Sequence, residues 1–149
     1  TVDEILESGD ESKYSEIAES LGKLALDGDP DYAIIISDWL YYGRFGLKRD
    51  VAKSFEYLKI AVDALVPDAV HDYAQRINGD EPESEKEALQ YFVLAAVLGD
   101  TDAIDALSDM LLYEESLIGR NDFVSAGLRK HRYLLISEEI DGDSDDEDK

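Results

Sequence analysis

The sequence predicts an all-α fold, a right-handed superhelix of antiparallel helix pairs, and three observations point there. Two stretches, Asp50 to Ala69 and Ser84 to Ala103, repeat one another at a spacing of 34 residues. Between residues 14 and 113 apolar side chains recur at helical spacing, and no segment carries the sustained alternation of a half-buried strand. In the repeat Ala61 lies over Ala95, Tyr57 over Tyr91, Phe55 over Leu89 and Ala69 over Ala103. Self-similarity at this period marks stacked helix pairs, each unable to bury its apolar face alone.

The elements follow in order. A first helix is expected from Tyr14 to Asp27, with Ile17, Leu21, Leu24 and Ala25 on its buried face. Gly28 and Asp29-Pro30 stop it. A second, Asp31 to Tyr42, buries Ile35, Ile36, Trp39 and Leu40. After the turn GRFGLKR, Asp50 caps a third helix reaching Leu65. Pro67 opens a fourth that ends at Asn78-Gly79. Ser84 with Glu87 reads as a capping box for a fifth, closed by Gly99-Asp100. Thr101 caps a sixth that reaches Tyr113. Phe123 to Ile136 reads as a seventh, with Val124, Leu128, His131 and Leu135 on one side. Trp39, Tyr57, Phe92 and Leu107 are expected in the core.

Composition narrows the function classes. The chain is 44% hydrophobic over 149 residues, enough for one folded domain. It contains no cysteine, which removes disulfides, thiolate zinc sites and cysteine nucleophiles. No apolar run approaches the ~20 residues of a membrane span. The start, TVDEILESGDES, has no basic segment leading into an apolar one, so no signal peptide is expected and a cytoplasmic location is.

Charge is the second strong feature. The chain holds 36 acids against 14 bases, a net charge of −22. Five acids and no base fall in residues 1–12, and eight acids and one base in residues 138–149. The division expected is an acidic N-terminal segment (1–13), a helical repeat domain (14–137) and a disordered acidic tail (138–149). The body remains acidic without its ends, so nucleic acid and anionic membranes are repelled and a basic protein partner is attracted. A monomer is the expected oligomeric state.

The repeated residues resemble the Sel-one-like repeats, relatives of the tetratricopeptide repeat. In the first unit Ile36-Ser37 stand for that family's Leu-Gly, Leu40 for its Tyr, and Gly43 with Gly46 for its glycine pair. Asp50, Lys53-Ser54, Tyr57 and Ala61-Val62 fill its later positions. In the second unit Tyr73-Ala74, Ala88, Tyr91, Ala95-Ala96, Gly99 and Ala103 do so. A third begins at Leu107-Ser108 and then leaves the pattern. The first unit's turn is one residue longer than the family's, and the second has lost both glycines. The resemblance implies a superhelix whose ligands dock on the first helix of each pair.

Chemistry is sparse. His71 and His131 lie on different predicted helices with no adjacent nucleophile, and the HExxH, GxSxG, GxGxxG and P-loop patterns are missing. The DGDSDDED segment alternates aspartates, but Asp146 stands where a calcium loop needs glycine. No enzyme activity, cofactor or metal is expected. Two basic clusters interrupt the acidity. Arg44, Lys48 and Arg49 are expected to balance neighbouring carboxylates, and Arg129, Lys130 and Arg132 to pair with the acidic tail.

Carried over position by position, the docking face falls on Asp31, Asp38 and Tyr42, then Asp68, His71 and Gln75, then Asp102, Asp105 and Asp109. Such a surface suits a lysine- and arginine-rich protein. The expected role is non-catalytic protein binding, as an immunity or inhibitor protein that neutralises a basic toxin such as a nuclease. The alternatives are a scaffold or adaptor in a larger assembly and an acidic mimic of nucleic acid.

Overall fold

The computed structural model describes residues 13–79, 81–112 and 121–142. It contains seven helices among them: α1 (Tyr14–Leu26), α2 (Pro30–Tyr42), α3 (Val51–Asp63), α4 (Pro67–Ile77), α5 (Pro82–Val97), α6 (Thr101–Met110) and α7 (Asp122–Gly142). No described residue is in a strand. The chain divides into two compact units, Thr1–Ala69 and Val70–Lys149.

The ends of the helices follow local chemistry. Asp29, Asp50 and Asp100 are N-caps whose carboxylates accept backbone N–H groups of the first turns, from Asp31, Lys53 and Ala103 respectively. Pro30 and Pro82 occupy first-turn positions, where a missing N–H costs nothing. α5 therefore starts at Pro82, ahead of the expected Ser84, and Glu81 is its N-cap with no side-chain capping bond. The expected capping box is not used, because Pro82 already supplies a pre-formed φ. Likewise Asp100, and not Thr101, caps α6.

α1, α3 and α5 close on one hydrogen-bond pattern. The amides of Gly28 and Asp29 donate to Ala25 and Leu24, those of Leu65 and Val66 to Val62 and Ala61, and those of Gly99 and Asp100 to Ala96 and Ala95. These bonds align Leu24 with Ala61 and Ala95. The residue that reverses the chain has positive φ each time: Gly28 at 102°, Leu65 at 59° and Gly99 at 98°. The left-handed conformation suits glycine and strains leucine.

In the first unit α1 packs against α2 and α3, and α2 against α3. Its core gathers Tyr14, Ile17, Leu21, Ile36, Trp39 and Tyr57, with Phe45 and Leu47 of the turn packed against them. Phe45 sits 4.4 Å from Trp39 and 5.2 Å from Tyr14, ring to ring. In the second unit α5 packs against α6 and α6 against α7, around Phe92, Ala95, Ala103, Ile104 and Leu107. Trp39, Tyr57, Phe92 and Leu107 are all buried, as expected. Leu24 and Ile35, expected in the core, are 42% and 36% exposed. The alanines aligned with Leu24 are fully covered, whereas among the described residues α1 has no helix before it to cover that face.

Small residues bring the paired helices close. Ser37 on α2 and Ser54 on α3 are fully buried, with their hydroxyls 3.5 Å apart. Ser108 on α6 and Ser125 on α7 repeat that contact. Ser125 donates its hydroxyl to the Ser108 carbonyl at 2.9 Å, and Ser108 to the Ser125 carbonyl at 3.5 Å. Both pairs are 17 residues apart in sequence. The loops between them also close alike, Asp50 N–H on Leu40 C=O and Asn121 N–H on Leu111 C=O. The third repeat therefore pairs its two helices as the first does, although its sequence leaves the family pattern after Leu107-Ser108.

α7 runs from Asp122 to Gly142, past the expected end at Ile136 and into the stretch read as tail. On it Val124 and His131 are exposed while Leu128 and Leu135 are half-buried, so the four do not form one covered side. Residues 1–12 and 143–149, which hold most of the expected acidic ends, lie outside the described residues.

Candidate protein-binding surface

The nine sequence-predicted docking residues separate into three kinds. Asp31, Asp68 and Asp102 are exposed and sit at one equivalent place, the first turn of α2, α4 and α6. Each stands one residue after the helix's opening residue, Pro30, Pro67 or Thr101. Carboxylates here also favour the helix, because they face the positive end of its dipole. All three are open to a partner. Tyr42 is 56% exposed at the end of α2, edge-on to Tyr41 at 5.0 Å and under the Arg44 guanidinium at 4.8 Å. Asp38 is half-buried on the same helix.

His71 and Gln75 are not free docking groups. The His71 ring is largely buried, its Nδ1 3.0 Å from Asp100 Oδ1 and its centroid 5.7 Å from that of Phe92. Gln75 Nε2 lies 2.9 Å from His71 Nε2. With the Gln75 amide donating, Nε2 accepts and Nδ1 carries the hydrogen that reaches Asp100. Asp100 in turn caps α6 through a 2.6 Å bond from Ala103 N–H. The trio ties α4 to the start of α6, which makes it a structural bracket inside the second unit. Tyr73 of α4 meets Tyr91 of α5 with the rings tilted at 59° and their centroids 4.7 Å apart.

Asp105 and Asp109 already have partners on α7. Asp109 Oδ1 accepts from Arg129 Nη2 at 2.9 Å. Asp105 Oδ2 lies 2.7 Å from Arg132 Nε, a charge contact in which the N–H does not point squarely at the oxygen. Two members of the second basic cluster, Arg129 and Arg132, thus contact α6, while most of the acidic tail expected to pair with that cluster lies outside the described residues. The first cluster departs from expectation. Arg49 donates to the Tyr41 carbonyl at 2.9 Å and lies over the Tyr41 ring, while Arg44 lies over Tyr42. Among the described residues these two arginines make cation–π contacts with half-buried Tyr41 and exposed Tyr42 in place of carboxylate pairing.

Among the described residues no group of three or more His, Asp or Glu is placed to hold a metal ion. No described helix is long and apolar enough to cross a membrane.

This arrangement of helix pairs matches solved structures. The chain is similar to a Sel1 repeat protein from Oxalobacter formigenes, with a TM-score of 0.69 at 17% identity, over 82% of this chain and 50% of that one. It is also similar to a protective antigen present in uropathogenic Escherichia coli strains that displays an SLR fold. There the TM-score is 0.60 at 19% identity, over 87% of this chain and 29% of that one. The chain has the Sel1 repeat fold, in agreement with the resemblance carried by its repeats. It spans half the length of the first of these proteins and under a third of the second. No protein-family model and no curated protein matches the sequence.

Proposed function

We propose that the chain is a non-catalytic protein-binding module whose acidic surface captures a basic protein, in the role of an immunity or inhibitor protein. The observation that carries the reading is the recurrence of an exposed aspartate at one place in three helices, the first turns of α2, α4 and α6: Asp31, Asp68 and Asp102. Each is fixed on the first turn of a helix, so its position is set by the backbone and not by a floppy chain. The net charge of −22 adds attraction at a distance for a basic partner and speeds encounter. The Sel1 repeat fold, typical of interaction scaffolds, supports protein binding in the coarser sense. Asp105 and Asp109 contribute less than the sequence suggested, because Arg132 and Arg129 offset their charge.

The test is recovery of the partner from cells, followed by titration at two salt concentrations. A basic partner is expected, and changing Asp31, Asp68 and Asp102 together to lysine should weaken it at least ~100-fold by opposing like charges. Unaltered affinity of that variant would remove these aspartates from the account. A partner that arrests growth when expressed alone, and is silenced by this chain, supports the inhibitor role. A harmless partner favours the scaffold reading.

A further inference from the structure

A cavity of about 500 Å³ opens in the first unit between α1, α2 and α3. Its floor is apolar, made by Ile36, Leu40 and Leu47, with Leu26 at the mouth 71% exposed. Its lining residues include three whose side chains can donate hydrogen bonds, Lys23, Lys53 and Tyr57. Ser15 adds a hydroxyl, and Glu19 is the single acid of the wall. The volume lies within the ~300–1,000 Å³ common for small-ligand sites.

Three further observations distinguish this space from a packing gap. Tyr57 is more than nine-tenths buried, and among the described residues nothing hydrogen-bonds its hydroxyl, which stays open to the cavity and available to a ligand. Gly22, in the middle of α1, is what lets that hydroxyl in: a Cβ there would lie 2.8 Å from the Tyr57 oxygen. Glycine inside a helix is unfavourable, and this close approach is a reason for its presence. Lys23 and Lys53 have no ion pair among the described residues, although Glu19 is four residues before Lys23 on the same helix.

We propose that this cavity binds a small organic carboxylate with an apolar body. The carboxylate would take the Tyr57 hydroxyl and the two ammonium groups, and the apolar body would cover Ile36, Leu40 and Leu47. The acidity of the whole chain does not forbid this, since charges beyond ~8 Å are largely screened at physiological salt. The site is separate from the aspartates of the proposed docking face and does not depend on that reading.

Octanoate is the probe, with octanol and octyltrimethylammonium as comparators of equal tail length, followed by NMR amide shifts of the whole chain. Saturable shifts clustered at Gly22, Lys53 and Tyr57 are expected, with both comparators at least ~5-fold weaker. Tyr57→Phe keeps the ring and should lose about 10-fold in affinity, the scale of one hydrogen bond to a charged group. Lys53→Gln, an exposed change that leaves the core intact, should lose several-fold, and Lys59→Gln outside the cavity nothing. Equal binding of octanol, shifts that neither saturate nor cluster, or wild-type affinity of Lys53→Gln overturns the proposal. If Tyr57→Phe alters the fold, Lys53→Gln and the comparators still decide.

Discussion

The α2–α3 pair and the α6–α7 pair are built on one plan, to which different contacts are added among the described residues. Both bring buried serines together 17 residues apart, and both close the intervening loop with a hydrogen bond spanning ten positions, Asp50 to Leu40 and Asn121 to Leu111. In the first pair the loop adds an apolar wedge, Phe45, pressed on Trp39 and Tyr14. Two glycines with positive φ, Gly43 and Gly46, let the chain turn tightly enough to place it. In the second pair the corresponding loop has no glycine at those places, and two aspartate–arginine contacts join the helices. The repeat demands small residues where helices touch and a cap where they start. What else holds the pair is open to substitution.

The contrast can be tested from its strongest side. Phe45→Ala should cost about 3 kcal/mol, the lower part of the range for a buried phenylalanine because Phe45 is only half-buried. Chemical denaturation would measure it, and a loss below ~1 kcal/mol would mean the wedge does not secure the first pair. Next come Ala61→Leu and Ala95→Leu, aligned positions with no exposure. Each should overpack its neighbour and cost ~1–3 kcal/mol. Unchanged melting of both would remove close packing from the plan.

Asp100→Ala removes the cap of α6 and the partner of His71 together. It should cost ~1–2 kcal/mol, more than Asp50→Ala, which removes a cap alone. Leu65→Gly should be stabilising by about 0.5–1 kcal/mol, because the strain of a left-handed leucine exceeds the extra chain entropy of glycine. A lower melting temperature would show that the leucine side chain contributes more than its conformation costs. The smallest effect belongs to the charges. A double-mutant cycle on Asp109 and Arg129, both more than half exposed, should give at most ~0.5 kcal/mol and fade with salt.

Several parts of this were legible before any coordinates. Gly28, Pro30, Asp50, Pro67 and Gly99 set helix ends within a residue or two, since caps and turns act on their own neighbours. Ala61 and Ala95 were found as close contacts because equal environments recur at the repeat period. The third unit was missed because its loop keeps the length of the first but not its glycines. A comparison at 71 residues would have exposed it, aligning Tyr42 with Tyr113, Arg49 with Arg120 and Asp50 with Asn121. Of the residues expected at a docking face, Asp31, Asp68 and Asp102 are exposed, whereas His71 and Asp105 are engaged within the fold.

The sequence by itself determined the helices, their period and the small residues between them, because each depends on spacing within about one turn or one repeat. Only the tertiary structure decided which charges remain for a partner. Asp109 and Arg129 are 20 residues apart, and His71 and Asp100 further still. Such groups meet only once neighbouring helices have been set side by side at a particular rotation. Spacing along one helix says which side chains share a face. It does not say which face the next helix will cover, and that choice separates the free aspartates from the paired ones.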